Sequence, residues 1–234
     1  MPHPDNSLRT ALVAGATGLI GHALVWRLLA SARYEWVHVL LRRPATTLPA
    51  SDRIKLHVVD FDRLPASLPQ VDDVYCCIGT TRKQAGSEVA FRRVDFDAVV
   101  NVARAASAAG AKRLAVVSSL GADPKSRVFY NRVKGEMQEA IKQIGYPSIV
   151  IAQPSLLAGD RTSLGQPVRG VEQWALRLLR PVMELVPPRI RPIEAERVAQ
   201  AMLEAMLQAR PGVRILSSGE MQSASSATLG FGTA

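Results

Sequence analysis

The sequence predicts a doubly wound α/β fold, in which helices cover both faces of a parallel sheet. Two observations indicate this class. Segments of strand length alternate with segments of helical periodicity, and most strand segments are continuously apolar instead of alternating with polar residues. Continuously apolar strands are typical of parallel sheets that are buried on both faces. At 234 residues, the chain has the length of a single such domain with a small C-terminal extension.

The first strand–helix unit lies near the start of the chain. An apolar run from Leu8 breaks at Gly15, and helical periodicity follows over Leu19–Ala32. Gly15 suits a tight bend, Gly18 lets the backbone approach a phosphate, and Gly21 lets the new helix lie close to the sheet. The phosphates would face the positive end of that helix, as in Rossmann-type sheets. The alternative is an ordinary glycine-rich turn.

The later elements keep the same alternation. The predicted strands that follow the first one cover Trp36–Leu41, Ile54–Asp60, Val71–Ile78, Leu114–Ser119, Tyr146–Ala152 and Val213–Leu216. The predicted helices cover Ser87–Gly110, Phe129–Ile144 and Ile193–Ala209, with an apolar helix candidate around Trp174. We predict a Rossmann-type domain over 1–216, with a small helical substrate or lid region over 164–210. A flexible tail is predicted over 217–234.

Composition and charge narrow the function classes. The formal net charge is +9, but the basic residues form no run of five and aromatic residues are only 5%, so nucleic-acid binding is not expected as the primary role. No apolar run approaches the roughly 20 residues that span a bilayer. The four histidines are dispersed, which argues against a metal site. Adjacent Cys76 and Cys77 suit a reduced compartment, and Met1–Ser7 lacks a secretory layout, so a cytoplasmic location is expected.

A tyrosine and a lysine supply the strongest chemical signal. Tyr130 and Lys134 lie four residues apart on a predicted helix, so their side chains share one face. A nearby ammonium stabilises phenolate, which makes Tyr130 a candidate general acid and base, and the lysine can also bind ribose hydroxyls. Ser118 and Ser119 end the preceding strand, where a hydroxyl can orient a substrate carbonyl. Capping of the strand end is the alternative for both serines.

The ordered set of motifs resembles the short-chain dehydrogenase/reductase superfamily, in its extended and atypical branches. That set consists of Gly15-x-x-Gly18-x-x-Gly21, the strand-end Ser119 and Tyr130-x-x-x-Lys134. Further motifs resemble, more narrowly, the NAD(P)-binding group related to the Tat-interacting protein. They are Cys76-Cys77-Ile78-Gly79-Thr80-Thr81-Arg82, Phe91-Arg92-Arg93-Val94-Asp95 and Ser118-Ser119-x-Gly121-Ala122-Asp123. The resemblance covers roughly Leu8 to Asp160.

The resemblance implies a role for each matching residue. Tyr130 would be the proton donor, Lys134 its electrostatic partner and ribose anchor, and Ser119, or less favourably Ser118, the hydroxyl that orients the carbonyl. The residues implied to surround the cofactor are Gly15, Thr17, Gly18, Leu19, Ile20, Gly21, Ile78, Gly79, Thr80, Tyr130, Lys134, Pro154 and Leu157. Many extended members of the superfamily have Asn where this chain has Asp95. A proton relay that needs the asparagine amide would therefore be altered in this chain. The group related to the Tat-interacting protein shares the aspartate.

The end of the second strand favours NADP over NAD. An NAD site usually has a carboxylate there for the ribose 2′-hydroxyl, whereas this chain has Arg42 and Arg43, and a guanidinium suits a 2′-phosphate. In the alternative, one arginine is solvated and the other stacks on the adenine of either cofactor. Asp60, which ends the third strand, is expected either to contact the adenine amino group or to cap a helix.

These residues predict an NADP-dependent oxidoreductase that transfers hydride to or from a carbonyl or alcohol carbon of a small-molecule substrate. Its pocket would be lined from Thr80–Ala85, Leu120–Val128 and Leu156–Trp174. The alternative is a non-catalytic NADPH-binding regulatory or sensor protein that acts through a protein partner. Tyr130 favours the enzyme, and Asp95 favours the sensor, as does the short region after residue 165. In related dehydrogenases the two long helices pair across a two-fold axis, so a homodimer is the expected assembly to test.

Overall fold

The computed structural model describes residues 7–45, 47–158, 187 and 190–223. Its strands are β1 (Arg9–Ala14), β2 (Tyr34–Leu41), β3 (Ile54–Val58), β4 (Asp73–Cys76), β5 (Arg113–Val117), β6 (Ser148–Gln153), β7 (Leu157–Ala158), β8 (Ile193–Glu194) and β9 (Gly212–Ser217). Its helices are α1 (Leu19–Ala30), α2 (Arg82–Ala85), α3 (Glu88–Arg92), α4 (Val99–Ala108), α5 (Phe129–Lys142), α6 (Ala195–Gln208) and α7 (Ser218–Ser223). A π-helical turn over Arg93–Ala98 joins α3 to α4.

The main sheet has seven strands in the order β3-β2-β1-β4-β5-β6-β9, and every neighbouring pair in it is parallel. The strand order reverses between β1 and β4, which leaves a crevice beyond their carboxyl ends. β7 and β8 form a separate two-stranded parallel sheet. The predicted doubly wound fold is therefore confirmed.

Helices cover both faces of the sheet because successive residues of each strand point to opposite sides. Val13 of β1 belongs to a buried cluster that includes Leu24 of α1 and Met202 of α6. Leu12, one residue earlier, belongs to the cluster on the other face, with Val102 of α4 and Met137 of α5. All six side chains are fully buried.

The outer strand β3 departs from the continuous burial that the sequence predicts for most strands. Leu56 and Val58 are 49% and 58% exposed, because an edge strand has a neighbour on one side only. On the opposite side of the β2–β3 pair, the rings of His38 and His57 stack, with Nδ1 of the former 2.8 Å from Nε2 of the latter.

The C-terminal part of the described chain completes the sheet. α6 packs against α1, where Arg27 Nη1 donates a hydrogen bond of 2.5 Å to Gln200 Oε1. The described C-terminal part of the predicted substrate or lid region over 164–210 is thus helix α6, which covers one face of the sheet. The remainder of that region, with the helix candidate around Trp174, lies outside the described residues, apart from 187 and 190–194.

The predicted tail over 217–234 begins differently from the prediction. Residues Ser218–Ser223 form helix α7, which Met221 anchors because its side chain is fully buried against the core. A single buried methionine among serines and glycines is too weak a periodic signal to predict a helix. Residues 224–234 lie outside the described part of the chain. Among the described residues, no helix has the length and apolarity that crossing a bilayer requires.

Candidate functional site

The turn between β1 and α1 requires glycine at two positions. Gly15 has φ +84°, and a Cβ placed there would lie 2.5 Å from the carbonyl carbon and oxygen of Cys77 at the end of β4. A Cβ on Gly21 would lie 2.2 Å from the carbonyl oxygen of Gly15. Gly21 therefore allows α1 to pack against the turn itself, whereas the sequence analysis expected it to serve the contact with the sheet. The result is a tight turn that brings the start of α1 to the crevice.

The N-terminus of α1 is open to an anion. Gly18 is the N-cap residue, in extended conformation; the first turn has no acidic residue, and no side chain in the described part of the chain caps this end. The first backbone N–H groups of an α-helix have no partner within it, so those of Leu19 and Ile20 are available to a phosphate. Thr17 is exposed beside them. The site predicted for a pyrophosphate thus has the expected electrostatics.

A cleft of about 550 Å³ extends from this helix end across the carboxyl ends of β4, β5 and β6. It brings together most of the residues that the sequence analysis assigned to the site: Gly18, Leu19, Ile20, Ile78, Gly79, Thr80, Ser118, Ser119, Tyr130, Lys134, Pro154 and Leu157. Gly15, Thr17 and Gly21 belong to the turn beside it. The cleft therefore joins the glycine turn to the tyrosine–lysine pair.

Tyr130 and Lys134 project from the N-terminal part of α5. The Tyr130 ring is partly buried, with its centroid 5.4 Å from that of Phe91, which is fully buried and fixes one side of the ring. The side chain of Lys134 is only 3% exposed, and its Nζ lies 3.4 Å from the carbonyl oxygen of Val117 at the end of β5. The predicted common face is observed, and both residues line the cleft.

Asp95 forms an ion pair with Lys134 within this cleft. Lys134 Nζ lies 2.8 Å from Asp95 Oδ1, at ion-pair distance but without the angles of a regular hydrogen bond. The other carboxylate oxygen accepts a hydrogen bond of 2.8 Å from the backbone N–H of Thr80. Burial by itself lowers the pKa of Lys134, but Asp95 and then Tyr130 outweigh it, so the pKa of the ammonium is raised. The lysine is therefore charged although it is buried.

The two strand-end serines differ in their surroundings. Ser118 is buried, and its Oγ accepts a hydrogen bond of 2.6 Å from Nε2 of Gln138, whose Oε1 accepts one from Gln153. Ser119 Oγ is buried and has no hydrogen-bond partner among the described residues. A buried hydroxyl without a partner costs free energy, which is typical of a group that meets a ligand. Ser119, rather than Ser118, is the hydroxyl available at the cleft.

The residues predicted for the adenosine end of the cofactor lie outside the cleft lining. Arg42 and Arg43 are exposed directly after β2, and no hydrogen bond or ion pair joins either one to the described residues. Asp60 is exposed, and its Oδ1 accepts a hydrogen bond of 2.9 Å from the backbone N–H of Asp62. No helix begins there, so the alternative of a helix cap is wrong and Asp60 closes a turn instead.

Sequence reasoning missed several residues of the cleft. Cys77 and Val117 line it from the strand ends, and Ser155 from the loop before β7. The carboxylate that holds Lys134 was also missed as a contact, because Asp95 was identified only as a departure from the pattern of extended members. Aspartate is almost never fully buried unless it is paired, but the burial of Asp95 is seen only in the structure. Among the described residues, no group of three His, Cys, Asp or Glu side chains is arranged to hold a metal ion.

Comparisons with known proteins agree with this geometry. The sequence profile of a family described as NAD(P)H-binding matches residues 15–157. Protein FMP52, mitochondrial, of Coccidioides immitis is 34% identical over 167 residues, covering 66% of this chain and 68% of its own length. Protein HTATIP2 of Rattus norvegicus is 34% identical over 157 residues, covering 65% of this chain and 64% of its own length. The chain thus matches about two thirds of these relatives' own length.

Solved structures share the fold at low sequence identity. MoeE5 in complex with UDP-glucose and NAD has a TM-score of 0.67 at 20% identity, covering 88% of this chain and 75% of its own. WbmF of Bordetella bronchiseptica, in complex with NAD⁺, has a TM-score of 0.65 at 19% identity, covering 92% and 74% respectively. The family profile and the two relatives confirm the predicted resemblance to the NAD(P)-binding group related to the Tat-interacting protein, and these structures confirm the fold.

One expectation is overturned by the relatives. The sequence analysis expected a cytoplasmic location from the reduced cysteines and from the residues at the start of the chain. Several similar proteins, including those of Coccidioides immitis, Emericella nidulans and Lodderomyces elongisporus, are named mitochondrial. The general assignment to the cytoplasm is therefore wrong. Reduced cysteines do not distinguish a cytoplasmic protein from a mitochondrial one.

Proposed function

This chain belongs to the NAD(P)H-binding family, and from that premise we propose that it is an NADP-dependent oxidoreductase acting on a carbonyl or alcohol carbon. One observation carries the proposal. Tyr130, Lys134 and the Ser119 hydroxyl line the same cleft, which begins at the N-terminus of α1, and that hydroxyl has no hydrogen-bond partner among the described residues. A tyrosine beside a buried ammonium, with a free hydroxyl donor near it, suits protonation of a developing alkoxide.

The residues present fit a nicotinamide dinucleotide. The first-turn N–H groups at Leu19 and Ile20 would hold the pyrophosphate, and Lys134 would bind the ribose hydroxyls. Gly79 lies beside the buried ion pair, where a Cβ would be at van der Waals contact, 3.4 Å from Asp95 Oδ1. Pro154 lines the cleft where the nicotinamide is expected. When bound, the reduced cofactor supplies the hydride.

The protein's own residues would handle the substrate oxygen. Ser119 would donate a hydrogen bond to it, which satisfies a hydroxyl that has no partner among the described residues. Tyr130 would donate its phenolic proton to the same oxygen as negative charge develops there. The Lys134 ammonium would stabilise the phenolate that remains, because opposite charges within a few ångströms favour the ionised form.

The proposal also includes a preference for NADP over NAD. Arg42 and Arg43 are exposed directly after β2, the strand that pairs with β1. Because neither guanidinium is engaged by a described residue, each is free to pair with a 2′-phosphate. The solved neighbours in complex with NAD or NAD⁺ support a dinucleotide and do not bear on this preference.

A regulatory protein is the second candidate, and a specific observation favours it. Asp95 compensates the charge of Lys134 at 2.8 Å, so the ammonium stabilises a Tyr130 phenolate less than an uncompensated one would. A protein that only binds NADPH, and signals its presence to a protein partner, needs the lysine for the ribose but no ionised tyrosine. The homodimer through α4 and α5 stays a prediction for either candidate.

Replacing Tyr130 separates the two candidates. NADPH oxidation is measured with aldehydes, ketones and quinones, for the native chain and for Tyr130→Phe. We expect the native chain to reduce at least one class. The phenylalanine variant should lose turnover by about a hundredfold or more while keeping its NADPH affinity, because one acid–base group typically contributes that much.

Tyr146→Phe is the matched control. The Tyr146 hydroxyl donates a hydrogen bond of 2.7 Å to the carbonyl oxygen of Ala103, within the core and outside the cleft lining. Its loss costs about 1 kcal/mol of stability and should leave turnover intact. Unchanged turnover in Tyr130→Phe would refute the enzymatic proposal, and NADPH binding without reduction of any class would favour the regulatory protein.

A further inference from the structure

A π-helical turn places a carboxylate in the cleft. Ser87 caps α3 through a hydrogen bond of 3.1 Å from the backbone N–H of Ala90 to its Oγ, and the helix then widens over Arg93–Ala98 before α4 begins. Within this turn Asp95 is completely buried, whereas Asp97 is exposed. Single π-helical turns are rare in proteins, and those that occur are often found at functional sites. The extra residue of such a turn changes the direction of one side chain. Here the redirected side chain is a carboxylate that faces the cleft.

This carboxylate joins three parts of the cleft. Asp95 Oδ1 lies 2.8 Å from Lys134 Nζ on α5, and Asp95 Oδ2 accepts a hydrogen bond of 2.8 Å from the Thr80 N–H after β4. Gly79 lies beside the pair, and a Cβ added to it would be at van der Waals contact, 3.4 Å from Oδ1 and 3.8 Å from Nζ. The ion pair and the turn after β4 therefore form one connected unit.

We propose that Asp95 is a positioning residue, which keeps Lys134 charged at the floor of the cleft and ties it to the Gly79–Thr80 turn. The inference rests on the proposed function, in which Lys134 binds the ribose hydroxyls of NADPH. Asp95 touches neither the substrate nor the reacting atoms in this account. It acts through the lysine, because a charged ammonium makes stronger hydrogen bonds to the ribose hydroxyls than a neutral amine does.

The charges around Lys134 determine how its protonation depends on Asp95. The groups that face it are Asp95 from the π-helical turn, Tyr130 from α5 and Cys76 from β4. Burial raises the pKa of the Cys76 thiol to about 11, so that thiol is neutral over the working range. Burial of Lys134 lowers the pKa of the ammonium, and Asp95 is the largest of the groups that oppose this effect. Without the carboxylate, Tyr130 is the main group left to oppose the effect of burial.

The sign of the expected pH dependence follows from this balance. With Asp95 present, the pKa of Lys134 is raised, so the ammonium persists across pH 7–9 and NADPH affinity is flat there. With an uncharged residue at 95, the pKa falls, and the amine loses its proton as the pH rises. Affinity should then decrease towards pH 9. The 2′-phosphate does not interfere, because a phosphate monoester is fully ionised well above its second pKa of about 6.

The test is a calorimetric titration with NADPH at pH 7 and pH 9, for the native chain, Asp95→Asn and Asp62→Asn. Asp62→Asn is the matched control, because it also removes one negative charge that is paired with the π-helical turn, at Arg93, but on the exposed side. Between pH 7 and pH 9, the NADPH affinity of the native chain and of Asp62→Asn should change by less than about threefold. The NADPH affinity of Asp95→Asn should fall by about tenfold or more over the same range, which is the size of one lost charge-assisted hydrogen bond.

A pH profile of Asp95→Asn that is parallel to the native one overturns the inference. Absence of NADPH binding by the native chain refutes the proposed function instead, so the two failures are distinguishable. Should Asp95→Asn not fold, Asp95→Glu carries the test, because it keeps the charge and lengthens the side chain. The NADPH affinity of Asp95→Glu should be several-fold lower than that of the native chain at both pH values and should not depend on pH. An NADPH affinity equal to the native one overturns the positioning role.

Discussion

The Nζ atom of Lys134 lies 2.8 Å from Oδ1 of Asp95, and the two side chains are 3% and 0% exposed. Taking either charge out of water alone costs several kcal/mol, so each partner makes the burial of the other tolerable. The pair links α5 to the π-helical turn over Arg93–Ala98 at the floor of the cleft. A residue proposed to bind the cofactor is thus also part of the folded framework.

Lys134→Met should destabilise the protein strongly. It leaves the Asp95 carboxylate buried without its cation, which typically costs about 3–5 kcal/mol in the free energy of unfolding. Urea denaturation followed by circular dichroism measures the loss. Lys142→Met on the same helix is the control, since its pair with Glu139 is solvent-exposed and worth at most about 1 kcal/mol. Equal losses in the two variants would contradict the account of the buried pair.

Alanine at the two serines should separate structure from chemistry. Ser118→Ala leaves the buried amide of Gln138 without its acceptor and should cost about 1–2 kcal/mol of stability. Ser119→Ala removes a hydroxyl that has no partner among the described residues, so it should leave stability nearly unchanged. It should lower turnover of any substrate found by about a hundredfold, as loss of one oxyanion donor does. The reverse pattern in melting and kinetic assays would be incompatible with Ser119 as the orienting hydroxyl.

Two glycines of the first turn should respond differently to alanine. Gly21→Ala places a Cβ 2.2 Å from the backbone oxygen of Gly15, which must shift, so we expect a loss of about 2 kcal/mol or more in unfolding free energy. Gly18→Ala meets nothing closer than 3.4 Å and should fold normally. Its Cβ would instead hinder the approach of a pyrophosphate, so NADPH affinity should fall by about tenfold. Normal NADPH affinity in Gly18→Ala would argue against this turn as the phosphate site.

The histidine pair on β2 and β3 should make stability depend on pH. Burial lowers the pKa of His38, with contributions from His57 and Lys55, and burial also lowers that of His57. The unfolded chain therefore binds more protons just below pH 6.5, and stability is lost as the pH falls from 6.5 through the folded pKa values. The effect is small, because both rings are partly exposed.

His57→Gln should reduce this dependence. The difference in urea midpoint between pH 7 and pH 5 should be smaller than in the native chain, since one of the two groups that titrate differently has been removed. His22→Gln serves as the control, because the single hydrogen bond that its ring makes with the described residues is to the backbone oxygen of Thr47, 3.0 Å away. An identical difference in the native chain and in His57→Gln would refute the assignment.

Much of the fold was predictable from local pattern. The central strands are continuously apolar, and the glycine turn and the Tyr130–Lys134 spacing are short-range signals that specify a helix start and a shared helix face. The cleft follows from these signals, because the carboxyl ends of parallel strands meet at one edge of the sheet. This is why the sequence alone assigns residues as distant from one another as Gly18, Ser119 and Tyr130 to one site.

What escaped prediction depends on long-range contacts. The π-helical turn has no sequence period of its own, so the direction of Asp95 and its contact with Lys134 could not be inferred. The two-residue strands β7 and β8 pair only because Ile193 meets Leu157 across a large gap in the sequence. Helix α7 depends on the burial of Met221, and the exposure of Leu56 on its edge position in the sheet. Tertiary position, rather than local preference, determines each of these features.

Calorimetric titration with NADPH and NADH in parallel tests the central claim, which is an NADP site at the reversal of strand order. The native chain should bind NADPH more tightly than NADH by about tenfold or more, since a charge-assisted hydrogen bond to the 2′-phosphate is worth at least that. Arg42→Ala combined with Arg43→Ala should abolish the difference and leave NADH affinity unchanged. Binding of neither dinucleotide by the folded native chain would contradict the account.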